Sequence, residues 1–276
     1  MNRDRIKKYA VELVFLAATC VWWLPIYYFV IGAFKQRIDI VKFPLAIAPE
    51  MISAGNFTYA VGKMKLFTAL GNTGFITLVS LLAVVVFGSL AGFAVARVRH
   101  RAFSWFYSAV IALMVIPFIG ALIPIVVLIR DFGLINSLWG PVLIQAAWNL
   151  PFSIFLYAGF MRTLPKELEE AAYIDGCSMF QVYYRVFLPL LTPVTATCCI
   201  RAGIGIWNDY LVSASLLNSV RQPTLMVAIY QFFGQYVSEY GYAFAGIIMA
   251  SLPIIILYVF LQKYFIKGIA AGAVKG

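Results

Sequence analysis

The sequence predicts an all-α membrane protein with six transmembrane helices, and three observations carry that prediction. Of 276 residues, 63% are hydrophobic and 12% charged, against about 45–50% and about 25% in ordinary soluble domains. The apolar residues gather in unbroken runs, unlike the alternating segments of about ten residues that build transmembrane strands. Lys and Arg outnumber Asp and Glu by 21 to 11 and sit in short segments between those runs. The net charge of +10 therefore reads as membrane topology rather than as a nucleic-acid surface.

A span needs about 20 apolar residues to cross about 30 Å of hydrocarbon. Leu13–Phe34 gives the first span and Gly71–Ala96 the second, both without a charge. Ala102–Ile129 contains the third, and Phe132–Met161 the fourth. Val186–Asn208, interrupted only by Arg201, gives the fifth, and Tyr240–Gln262 the sixth. Pro223–Ser238 is uncharged but carries Gln231 and Gln235 after a proline start, so it reads as an extracytoplasmic loop helix. Arg3, Arg5, Lys7 and Lys8 precede a run too long for a cleaved leader, which is read as a retained span.

With six spans and the N-terminus inside, the basic residues fall mainly on the cytoplasmic side, in Arg97–Arg101, Arg162–Arg185 and Lys263–Lys275 besides the N-terminal cluster. Five of the outer ones, Lys35 to Lys65, lie in one long loop, where charge counts for less. Both termini are thus placed in the cytoplasm of a multi-pass bacterial inner-membrane protein. The chain reads as one transmembrane domain, 1–276, with a core at 71–265. Trp22 and Trp23 lie mid-run and read as packing residues. The cysteines, Cys20, Cys177, Cys198 and Cys199, have neither disulfide nor metal-knuckle spacing and read as small apolar fillers.

The segment 162–189 stands apart. Four of the eleven acidic residues, Glu167, Glu169, Glu170 and Asp175, lie within nine positions. Pro165 suits the first turn of a helix, and acids early in a helix suit its dipole. Leu168, Ala171, Ala172 and Asp175 share one helical face. Gly176 suits the stop, and Ser178 with Gln181 forms a capping-box pattern for a second helix. The apolar face of that helix is expected to be Phe180, Tyr183, Tyr184 and Phe187, with Pro189 ending or kinking it at the mouth of the fifth span. Small alanines ringed by acids suit docking of another protein, and equally suit a solvated amphipathic loop.

Glu170-Ala171-Ala172, Gly176, Val186 and Leu188-Pro189, at this spacing, closely resemble the cytoplasmic loop signature of ABC importer permeases. The family usually has Ile at the place of Val186. Leu164-Pro165, Ile174-Asp175-Gly176, Pro189, Pro193, Trp207-Asn208-Asp209 and the tail Gly272–Gly276 resemble the carbohydrate branch, relatives of the smaller maltose-transporter permease. The resemblance implies that the helix Glu167–Gly176, with Glu170, Ala171, Ala172, Asp175 and Gly176 as its coupling residues, inserts into a homodimeric ATP-binding subunit. It implies a second homologous permease, an extracytoplasmic solute-binding protein and a sugar cargo. ATP and Mg belong on the partner ATPase, and no cofactor is expected on this chain. In keeping with that, the sequence has no G-x-x-x-x-G-K-[ST] and no H-E-x-x-H. Its only histidine, His100, reads as a surface residue. The chain itself is not expected to be an enzyme.

A sugar path needs polar or aromatic residues within spans. Gln145, Trp148 and Asn149 in the fourth span are candidates, as are Trp207, Asn208 and Asp209 late in the fifth. Helix packing for the tryptophans and interhelical hydrogen bonds for the amides are the competing readings. Arg201 sits mid-span, where a charge costs about 2.5–3.5 kcal/mol on insertion scales. It faces either an anionic solute group, such as a uronate carboxylate, or a structural partner in the second permease. The alternative function, an ion-gradient-driven secondary transporter, fits poorly, because Arg201 is the only mid-span charge and no repeat of the Glu170 segment is visible.

Overall fold

The computed structural model describes residues 3–234 and 239–273, and of residues 3–7, 10, 261 and 263–273 only the backbone. Most of the tail signature Gly272–Gly276, the side chains of Arg3, Arg5, Lys7, Lys263, Lys267 and Lys275, and Gln235 lie outside the described residues. The chain divides into two compact units, Met1–Phe67 with Ala228–Leu252, and Thr68–Val227 with Pro253–Gly276.

In the first unit, α1 (Arg3–Gly32) contains the expected first span as Val11–Gly32. Trp22 and Trp23 are 78% and 61% exposed, so packing within this chain does not hold them, contrary to expectation. The short helices α2 (Arg37–Lys42) and α3 (Gly55–Lys63) follow. Asn56 Nδ2 donates to the carbonyls of Ala33 and Lys35 at 2.9 and 2.8 Å and ties α3 to the end of α1. Lys35 is a further correction. Expected on a water-facing loop, it is 1% exposed and donates to the Phe43 carbonyl at 2.8 Å. Its four-carbon stem is covered while its ammonium finds backbone acceptors.

In the second unit, α4 (Leu66–Arg97) is the second span as expected. The third is broken: α5 (Arg101–Leu113) and α6 (Phe118–Asp131) meet at 108° across Met114–Pro117. Pro117 disfavours helical geometry at Ile116 and supplies no N–H, so an apolar run that hydropathy treats as continuous cannot stay straight. The fourth span, expected within Phe132–Met161, is α7 (Trp139–Thr163). Gly133 at φ +71° closes α6, its N–H reaching Arg130 O at 2.8 Å and that of Leu134 reaching Ile129 O at 3.1 Å. Asn136 at φ +57° continues the turn before α7.

The expected loop helix is α8 (Glu167–Ile174). Beyond it the path is α9 (Met179–Gln181), a π-helical turn Val182–Phe187, α10 (Leu188–Leu190) and α11 (Thr192–Trp207). The π turn replaces the regular helix expected there. It widens the backbone just ahead of Pro189, whose ring would crowd the carbonyl four residues back in an α-helix. The fifth span is bent by 72° between Met179–Leu190 and Thr192–Trp207. The expected apolar face is split as well. Tyr183 and Phe187 are buried with Val182, while Phe180 and Tyr184 are exposed. The chain continues through α12 (Leu211–Leu216), α13 (Leu225–Tyr230) and α14 (Tyr240–Ala273). Among the described residues four helices are long and apolar enough to cross a membrane, or six if each bent pair is one span.

Two apolar clusters form the core of the second unit. One joins Ile76, Leu81, Ile129, Val142, Ile206 and Leu216. The other joins Phe93, Tyr157, Met161, Ala172, Val182 and Phe187, and so reaches from two spans into the loop helices. Helix α4 approaches α7 closely because Gly88 and Gly92 lie at the contact. A Cβ on Gly92 would sit 2.6 Å from Tyr157 Cβ.

Candidate functional site

The loop between α7 and α11 is held by local chemistry of the kind its sequence suggested. Gly176 adopts φ +78°. Its N–H reaches Tyr173 O at 3.0 Å and that of Cys177 reaches Ala172 O at 2.9 Å, a Schellman closure of α8. Ser178 and Gln181 form the reciprocal capping box at the start of α9. Partial burial, and beyond it the charge and hydrogen bond of Glu169, raise the Tyr173 phenol above its ordinary range.

The alanine pair is divided between two surfaces. Ala172 is 7% exposed and packs into the cluster of Phe93 and Phe187. Ala171 is exposed together with Glu167, Leu168, Glu170, Asp175 and Gly176. Five of the six singled-out loop residues are therefore solvent-facing, and the sixth seats the helix on its own chain.

One residue of this region escaped the sequence reading as anything but a topological charge. Arg97, the last residue of α4, has a side chain only 5% exposed. Its Nη2 donates to Met161 O at 2.6 Å and Leu164 O at 2.9 Å, at the C-terminal end of α7. Its Nη1 lies 3.8 Å from Glu169 Oε2 on α8. Its Cζ stands 4.7 Å over the Phe187 ring. The signal available in the sequence was an arginine closing a long uncharged span, which is too common to single out.

The span candidates separate into two groups. Trp148 and Arg201 line a cavity of about 600 Å³ with Leu113, Ile125, Ile144 and Phe152. Arg201 Nη1 donates to Asn149 Oδ1 at 2.9 Å, and Asn149 Nδ2 donates to Gln145 O at 2.8 Å. The Arg201 Cζ stands 4.2 Å over the Phe152 ring, and Trp148 packs on Phe118 at 4.7 Å between centroids. Arg201 is the only charged residue lining this wall among the described residues. The cavity lies beside the break between α5 and α6, with Leu113, Met114 and Ile116 in its wall, a break that the hydropathy pattern concealed.

The structure gives Trp207, Asn208 and Asp209 other surroundings. Trp207 is 9% exposed and packed. Asn208 Nδ2 donates back to Ile204 O at 3.0 Å. Asp209 Oδ1 accepts from the Val212 N–H at 3.1 Å, and its Oδ2 from the Ser213 N–H and hydroxyl at 2.9 and 2.8 Å. That carboxylate caps α12. His100 caps α5 through Nδ1, accepting from the Ala102 N–H at 3.1 Å, and is exposed as expected. No group of three or more His, Cys, Asp or Glu suited to a metal occurs among the described residues.

Comparison with known proteins agrees with this architecture. The chain is 36% identical over 96% of its length to a melibiose/raffinose/stachyose import permease protein of Bacillus subtilis, covering 96% of that protein. It is 32% identical over the whole of both chains to a probable starch degradation products transport system permease protein of Thermoanaerobacterium thermosulfurigenes. The fold matches a chain in the crystal structure of a bacterial ABC transporter involved in the import of the acidic polysaccharide alginate. The TM-score is 0.82 over 96% of this chain and 99% of that one, at 23% identity. Residues 84–271 match the family described as binding-protein-dependent transport system inner membrane component. With that match spanning most of the chain and the relatives covered end to end, the protein belongs to this family of membrane transport permeases.

Proposed function

We propose that this chain is one of two permease subunits of an ATP-driven sugar importer, that it engages a separate ATPase through Glu167–Gly176, and that its cavity admits an acidic oligosaccharide. The observation that carries the coupling part is the build of α8. It is stopped by a left-handed glycine, seated by Ala172, and presents Glu167, Glu170, Ala171 and Asp175 outward. A short, capped helix with small and acidic residues on its outer side fits a groove on a partner. The relatives named for melibiose, raffinose, stachyose and starch degradation products support an oligosaccharide as cargo.

The acidic character of the cargo rests on Arg201. It uses one of five N–H donors on Asn149 and borders an otherwise apolar wall. A carboxylate on the solute is the group such a fork binds best. A second homologous permease supplies the other wall, and an extracytoplasmic binding protein delivers the solute. ATP and Mg reside on the ATPase dimer. The whole chain acts as one transmembrane domain with both termini in the cytoplasm, and ATP-driven closure of the motor moves α8 and switches the cavity between its two openings.

The test is uptake into proteoliposomes containing the complete importer, with trigalacturonate and raffinose as probes. Gly176→Val is expected to abolish ATP-dependent uptake while the chain still inserts. Uptake by this chain alone, driven by a proton or sodium gradient, overturns the proposal.

A further inference from the structure

We propose that Arg97 is the joint through which displacement of α8 is carried into α4 and α7, a positioning residue without which the loop moves and the spans do not follow. This rests on the coupling role of Glu167–Gly176 proposed above and names the device that makes it work.

Four chain segments converge on this one guanidinium. It closes α4, takes two carbonyls at the end of α7, pairs with Glu169 of α8 and covers Phe187 in the π turn. These carbonyls lie in the last turn and at the C-cap of α7, where Met161 O also accepts the Leu164 N–H at 3.2 Å, and the negative end of the helix dipole favours a cation there. The planar fork fixes direction as well as distance, unlike an ammonium. Burial of the side chain to 5% exposure keeps water from competing for these contacts.

The remaining attachments of α8 differ in kind. Ala172 sits among apolar side chains, and such contacts are non-directional and allow sliding. Ser89 and Tyr183, whose hydroxyls lie 2.7 Å apart, fix the π turn to α4, and Tyr183 meets α8 in the same apolar cluster as Ala172. Among the described residues Arg97–Glu169 is the ion pair that joins α8 to a span.

The experiment uses the complete importer, permeases, ATPase and binding protein, in proteoliposomes. It measures uptake of trigalacturonate and raffinose per ATP hydrolysed, with ATPase stoichiometry in the purified complex as the control. Arg97→Ala is expected to assemble normally and hydrolyse ATP, with uptake per ATP lower by roughly 10-fold, the size of an ordinary coupling free energy. Arg97→Lys and Glu169→Gln, which disturb the fold less, are expected to fall between this variant and the parent. If neither probe is carried, the stimulation of ATP hydrolysis by binding protein is read in the same way. Unchanged uptake per ATP in all three variants overturns the inference. So does loss of the ATPase from the complex in step with uptake, because Arg97 then serves only the fold. Gly176→Val run alongside separates the two ideas. If it uncouples and the Arg97 variants do not, only the joint fails; if it leaves coupling intact, the role of the loop itself fails.

Discussion

Arg97 and Arg201 occupy regions built on opposite terms. Arg97 is buried against backbone carbonyls, a carboxylate and an aromatic face supplied by three other segments. Arg201 is exposed, with one amide and one phenyl ring from α7 as its partners and a cavity beside it. An arginine enclosed on every side holds elements together. An arginine anchored on one side and open on the other is held ready for something that arrives. The same residue type thus serves rigidity at one place and reception at the other, and burial decides which.

The contrast can be broken from either region. The largest effect is expected at the helix contact behind the loop. Gly92→Leu drives a side chain into Tyr157, 2.6 Å from where even its Cβ would lie. Overpacking of this kind typically costs about 1–3 kcal/mol or more. Thermal unfolding of the purified complex should show a clear drop in Tm, and an unchanged Tm would mean that α4 and α7 do not meet there.

Next comes Gly176→Val, because a β-branched residue at φ +78° carries roughly 1–2 kcal/mol of local strain. Its uptake loss should exceed its loss of Tm, since the strain falls on the docking helix. Arg201→Ala should weaken trigalacturonate uptake by about 10-fold, or about 1.4 kcal/mol, and leave raffinose uptake close to the parent. Equal effects on both probes would reassign Arg201 to the Asn149 contact alone and remove the contrast with Arg97. The smallest effect is Ser178→Ala, which deletes one half of the capping box for about 0.5–2 kcal/mol. It should lower Tm slightly without changing uptake per ATP, which would place α9 in the scaffold rather than in the coupling path.

Much of the loop was legible because its signals are local. A positive-φ glycine, a Ser–Gln box and an acidic first turn each act within a few residues. Asp209 shows the same locality. Its bonds run to residues three and four positions on, a cap that could have been read beside its candidacy as a solute contact. The bends at Pro117 and Pro189 were legible in principle. Pro189 reads as ending or kinking its helix, whereas hydropathy hid the break at Pro117, because an averaged apolar run says nothing of whether its backbone stays helical. The division of Ala171 from Ala172 was not legible. Both suit a close approach, and only the position of Phe93 and Phe187 decides which one turns inward.

Composition and the apolar runs by themselves determined the solvent and the apolar spans, and the resemblance of one loop motif pointed to the family. These follow from the free energy of apolar groups in a bilayer and from a motif carried within one short segment. Tertiary structure alone decided that residues 97, 161, 164, 169 and 187 meet at one guanidinium, and that residues 149, 152 and 201 meet at another. Each of those meetings depends on the angle at which helices cross and bend. That angle is set by packing between distant segments, which no local pattern records.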